Sequence, residues 1–258
     1  MHTPHPTFTN FVAVGDSFTE GMSDLGPDGS YRGWADLLAD RLALDTPTLR
    51  YANLAVRGKL IRQIADEQVD AAVALGGDLI TLAGGLNDVL RPRCDVGAVC
   101  AVFEQAAAKL AAGGAHLVLF RSTDPTRRLR SSARLMPRIE QLVAFVDTVA
   151  ARHDATVVDL FTARVFDDPR MWADDRLHLS TEGHRRVAEA TAQAMGLPAE
   201  FDWRAPLPAA APRAWTDRRR ADVRWARTHL GPWLARRATG RSSGDGRPPK
   251  RADLTLWR

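Results

Sequence analysis

The sequence predicts an α/β protein, a three-layer sandwich whose five-stranded parallel sheet is covered by helices on both faces, followed by a C-terminal helical extension. Three observations carry this expectation. Short apolar runs, too brief for a helix, break off at turn-forming glycines, as residues 11–14 do before Gly15-Asp16-Ser17. Longer stretches with apolar side chains at three-and-four spacing separate those runs. The composition, 45% apolar and 26% charged, is that of a globular chain. No run approaches the roughly 18 apolar residues that a membrane span needs.

The elements follow in order. Residues 11–14 form the first strand and deliver Ser17 to its carboxyl end. Residues 33–42 place Trp34, Leu37, Leu38 and Leu42 on one helical stripe, and residues 51–56 form a second strand that ends at Arg57-Gly58. A helix over residues 60–75 turns Ile61, Ile64, Ala65 and Val69 inward; residues 78–83 are the third strand, broken by Gly84-Gly85-Leu86-Asn87-Asp88. Residues 99–112 are a helix stopped by Gly113-Gly114. Residues 116–120, 134–153 and 156–161 are strand, helix and strand, and Ser180 caps a last domain helix that ends at Gly196.

Right-handed crossovers leave few ways to connect such units. A flavodoxin-like order of 2-1-3-4-5 puts the end of strand 1 beside the ends of strands 2 and 3, which gathers Ser17, Gly58 and Asn87 from three loops. The first domain is expected over residues 1–197. Residues 198–258 are expected to form a proline-rich strap with Pro198, Pro206, Pro208 and Pro212, then a basic helix striped by Val223, Ala226, Leu230, Trp233 and Leu234. From residue 240 the chain reads as loop, with Leu254, Leu256 and Trp257 able to dock its end.

Charge is uneven. Residues 213–258 carry 13 Lys and Arg against 4 Asp and Glu, whereas the first 212 residues carry a net −5. Any anionic partner, nucleic acid or membrane surface, belongs with that tail; its tryptophans and apolar stripe favour a helix docked on the body. The N-terminus has neither a basic nor an apolar leader region, so a cytoplasmic protein is expected. Cys94 and Cys100 lack metal-ligand spacing with histidines and are expected as free thiols, a short loop disulfide being sterically conceivable.

Chemistry concentrates at the strand ends. Ser17 needs a base, and Asp175-Arg176-Leu177-His178 supplies a histidine with a carboxylate three residues before it, close enough to fix the ring tautomer. Asn87 offers a side-chain amide and Gly58 a backbone N–H to an oxygen that becomes negative. Asp16 and Asp88 sit in turns whose N–H groups they satisfy, so scaffold roles are expected, as is a packing or capping role for His184. Arg57, Arg91, Arg121 and Arg127 follow strand ends and could rim the cleft, which would favour an anionic substrate group.

The blocks Gly15-Asp16-Ser17, Asn53-x-Ala55-x-x-Gly58, Gly85-x-Asn87-Asp88 and Asp175-x-x-His178, in this order, closely resemble the SGNH-hydrolase (GDSL esterase/lipase) family over residues 10 to about 196. Phe18 stands where the family's leucine is usual. The resemblance implies a nucleophile at Ser17, a base at His178, an orienting carboxylate at Asp175, and an oxyanion hole made by the N–H groups of Ser17 and Gly58 with the Asn87 side chain. It implies no cofactor and no metal. The expected activity is hydrolysis of a small-molecule carboxylic ester through an acyl-enzyme. An acyltransferase or a sugar O-deacetylase would use the same triad, and a non-catalytic protein binding through the basic tail is the alternative from another class.

Overall fold

The computed structural model describes residues 6–126, 130–210, 214–232 and 242–258. Its first strand, β1 (Asn10–Val14), lies between β2 (Arg50–Asn53) and β3 (Leu79–Leu82) and is parallel to both. Beyond β3 come β4 (His116–Arg121) and β5 (Thr156–Asp159), also parallel. Side chains of β1 alternate as a strand buried on both faces requires: Phe11 and Ala13 enter one apolar core, Val12 and Val14 the other. The first core is closed by α2 (Gly33–Asp45) and α8 (Thr181–Ala194), the second by α6 (Val96–Ala111) and α7 (Met136–His153).

The order 2-1-3-4-5 is present, but the expected count of five strands is corrected to six. β6 (Arg251–Leu256) pairs antiparallel with β2 and extends the sheet to β5-β4-β3-β1-β2-β6. An edge strand with only Leu254 fully inside has little apolar periodicity to announce it. Its seat is nevertheless specific. Trp257 packs edge-on against Tyr51 with ring centroids 5.0 Å apart and donates its indole N–H to Asp40 at 2.8 Å. Lys250, just before the strand, bonds the carbonyls of Tyr31 and Arg32 and pairs with Asp36 at 2.8 Å.

Other differences are local. Single helical turns, α1 (Ser17–Glu20) and α5 (Leu86–Val89), start directly at the ends of β1 and β3. The expected helix 60–75 is α3 (Ile61–Ile64), a π-turn over Ala65–Val69, and α4 (Asp70–Leu75). The proline-rich strap lies on α8, where buried Arg186 donates to the carbonyls of Trp203 and Ala205 at 2.7 and 2.6 Å. Of the expected apolar stripe, Val223 in α9 (Trp215–Trp225) is 53% exposed, whereas Ala226 and Leu230 just beyond it are half-buried; Trp225 and Asp222 contact the body at Asp175 and Arg176. Trp233, Leu234 and Arg127 lie outside the described residues. Among those described, no helix is long and apolar enough to cross a membrane, and Cys94 and Cys100 are free thiols.

Candidate active site

Ser17 is half-buried at the first position of α1, immediately after the residue that caps the turn. That residue, Asp16, accepts the Phe18 N–H at 3.0 Å and the Asn87 side-chain amide, also at 3.0 Å. Asn87 gives its amide nitrogen a second acceptor, the Lys59 carbonyl, at 3.0 Å. One chain of hydrogen bonds therefore joins the loops that follow β1, β3 and β2, and Gly58 sits beside its last member. Gly58 has φ +74, a left-handed conformation that glycine adopts without a steric penalty.

His178 and Asp175 come from the loop before α8. Asp175 Oδ2 lies 2.6 Å from His178 Nδ1, while Asp175 Oδ1 accepts the N–H groups of Leu177 and His178 at 2.9 and 3.0 Å. Burial pushes the Asp175 carboxyl up. The hydrogen bond and charge of His178, with the two backbone donors, outweigh that and hold it at about 2. Across the cleft, burial raises Asp16 to about 6, against the opposing pull of the Phe18 N–H and of a positive His178. Burial also raises Asp88, which accepts the Ile61 N–H at 3.0 Å at the start of α3. Both carboxylates serve turn N–H groups.

His184 is buried, 1% exposed. Its Nδ1 accepts the Trp34 N–H at 3.2 Å and its Nε2 faces the Met22 carbonyl at 3.1 Å, a set of partners that suits the neutral ring. The expected arginine rim is not formed by Arg57 and Arg121. Arg57 is buried against Glu20, whose carboxylate also accepts the Arg57 N–H at 2.7 Å, and its guanidinium lies over the Tyr31 ring. Arg121 grips Asp147 at 2.7 and 2.5 Å. With their charges already matched, neither supplies a free cation for a substrate. Phe18, next to Ser17, packs against Trp34 and Phe120, with centroids 5.5 and 5.4 Å away.

Sequence reasoning missed three supports. Gln68, in the π-turn, bonds both backbone groups of Gly15; its position seven residues after Ile61 on the inward stripe was the available signal. Glu20, one turn after Ser17, ties α1 to Arg57. Trp225 reaches the Asp175 carbonyl from α9, and nothing local in the sequence points there. Among the described residues, no group of three or more His, Cys, Asp or Glu side chains could hold a metal.

Solved structures share this fold. LAE5, an alpha/beta hydrolase enzyme from the metagenome of Lake Arreo, Spain, superposes with a TM-score of 0.61 at 24% identity, covering 73% of this chain and 95% of that one. A catalytic mutant of Axe2, an acetylxylan esterase from Geobacillus stearothermophilus, gives 0.64 at 18% identity, covering 78% and 98%. The psychrotrophic esterase EstA from Pseudoalteromonas sp. gives 0.57 at 14%, covering 72% and 96%. None of the curated proteins matches the chain. The model of the GDSL-like Lipase/Acylhydrolase family matches residues 13–186, a span holding every strand-end block and the aspartate–histidine loop, and the chain belongs to that family of ester-cleaving serine hydrolases.

Proposed function

We propose that the chain hydrolyses a carboxylic ester in two steps through an acyl-enzyme on Ser17, with His178 as base and Asp175 as its orienting carboxylate. The observation that carries the reading is the 2.6 Å contact between Asp175 Oδ2 and His178 Nδ1. It commits Nδ1 to the carboxylate and leaves Nε2 to accept a proton. Ser17 Oγ attacks the acyl carbon as its proton passes to His178 Nε2. Negative charge then develops on the former carbonyl oxygen, facing the N–H groups of Ser17 and Gly58 and the Asn87 amide. Collapse expels the alcohol, which takes the proton from His178. A water, deprotonated by the same ring, attacks the acyl carbon and releases the acid and free Ser17.

Asn87 has a cost in this scheme. Its amide already faces Asp16 and the Lys59 carbonyl, so donation to the oxyanion requires one of those bonds to be shared or exchanged. Asp175, held near 2, stays ionised at neutral pH and stabilises the imidazolium formed during attack. Further support comes from the solved neighbours: catalytic mutants of one acetylxylan esterase are altered at a serine, at an aspartate, and at a histidine three positions after it.

The test combines labelling with turnover. A fluorophosphonate should modify Ser17 and no other serine, and Ser17→Ala should lose more than about a thousandfold in kcat while keeping its fold. Undiminished turnover by Ser17→Ala removes the mechanism. A panel of esters that includes acetylated sugars, with alcohol acceptors in competition with water, separates a simple esterase from an O-deacetylase and from an acyltransferase.

A further inference from the structure

We propose that α9 braces the catalytic loop from outside, with Trp225 and Asp222 acting as positioning residues for the Asp175–His178 pair. The inference rests on the catalytic roles assigned above. Three contacts carry it. The indole Nε1 of Trp225 donates to the Asp175 main-chain carbonyl at 2.8 Å. The Arg176 guanidinium lies 4.9 Å from the centroid of the same indole ring, and it pairs with Asp222 Oδ1 at 2.8 Å. All three fall on the two residues that open the turn between carboxylate and imidazole.

That turn needs holding. Arg176 has φ +60, a left-handed conformation that is strained for a residue with a β-carbon. It is set directly between Asp175 and His178. Relaxation of Arg176 to the right-handed region would swing the Leu177 and His178 N–H groups away from Asp175 Oδ1 and misalign the ring with Oδ2. The Arg176–Asp222 pair, with side chains 38% and 51% exposed, contributes little by itself. The indole hydrogen bond and the cation over the ring supply most of the restraint.

Helix α9 lies beyond the residues matched by the family, 13–186, so this support is separate from the shared body of the fold. A second part of the tail packs on the loop after β2. Gly244 is seated so closely on the Arg57 carbonyl that a β-carbon there would collide with it, and Ser242 packs on Gly58 in the same way.

The test uses full-length variants. Trp225→Phe keeps a ring and removes the donor; we expect kcat to fall roughly five- to tenfold, with KM within about twofold, as loss of one aligning hydrogen bond predicts. The acid limb of the kcat–pH profile should shift, and the downfield proton resonance of His178 Nδ1–H should broaden. Trp225→His, which can present a ring N–H, should recover part of kcat. Asp222→Asn should reproduce the effect more weakly, and Val223→Ala, on the exposed side of α9, should change nothing. Wild-type kcat and a sharp resonance in Trp225→Phe would overturn the brace, as would a loss of kcat with unchanged resonance and pH profile. Fluorophosphonate labelling distinguishes the two levels. Unlabelled Ser17 in the wild type removes the catalytic reading and the brace with it, whereas labelled Ser17 with an indifferent Trp225→Phe removes the brace alone.

Discussion

Gln68 brackets Gly15: its amide oxygen accepts the Gly15 N–H and its amide nitrogen donates to the Gly15 carbonyl, both at 2.9 Å. The pair stands in for a strand ladder at the residue where β1 has ended and the turn into Ser17 has begun. Gly15 is also hemmed in, since a β-carbon there would lie 2.7 Å from the Ala83 carbonyl oxygen. The turn that presents Ser17 is therefore fixed by a side chain from the π-turn and by close backbone approach.

Gln68→Leu should destabilise the protein by about 1–3 kcal/mol, because the buried Gly15 N–H loses its partner while the Gly15 carbonyl keeps only the Val56 N–H, at 3.3 Å. Urea denaturation measures the loss. A change below about 0.5 kcal/mol would mean that Gly15 finds other partners.

Two buried groups give opposite pH dependences. His184, held neutral at about 4 by burial, against the pull of the Met22 carbonyl and Asp24, binds its proton more weakly than in the unfolded chain. Its contribution to stability is present above about pH 6.5 and is lost as pH falls toward 4. Asp16, raised to about 6, binds its proton more tightly in the fold than out of it, so its contribution declines as pH rises from about 4 to 6. In denaturation series between pH 4 and 7, Asp16→Asn should therefore gain stability with pH more steeply than wild type. His184→Gln should be less stable at pH 7 and lose stability with rising pH. Each slope change should amount to roughly 2–3 kcal/mol across the window. Parallel curves for all three proteins would show that neither group is shifted.

Below that window, stability should fall again as pH drops from about 4 to 2 and Asp175 gains its proton, breaking the bond to His178. Asp175→Asn should remove this limb, read as the acid midpoint of near-ultraviolet circular dichroism.

Gly244→Ala should release the tail locally without unfolding the body, because the added methyl collides with the backbone of Arg57. Hydrogen exchange should accelerate over residues 242–256 while β1 and β3 keep their protection. Unchanged exchange in the tail would show that the turn accommodates the methyl.

The sequence by itself determined the layered parallel sheet, its order through β5, and the identity of the strand-end blocks. Apolar runs buried on both faces, and glycines where the chain must turn, are local signals read from consecutive residues. His178 and Asp175 were legible for the same reason, three residues apart in one loop. Tertiary structure alone decided what meets at a distance. It paired Arg57 and Arg121 with Glu20 and Asp147 and so took them out of the cleft. It set Gln68 against Gly15 and brought Trp225 to Asp175 across 50 positions. It also made residues 251–256 a sixth strand, because an edge strand is chosen by the open hydrogen-bonding groups of β2 more than by its own weak pattern. Periodicity reports which face of an element is buried; the partner found there depends on packing that no single stretch of chain contains.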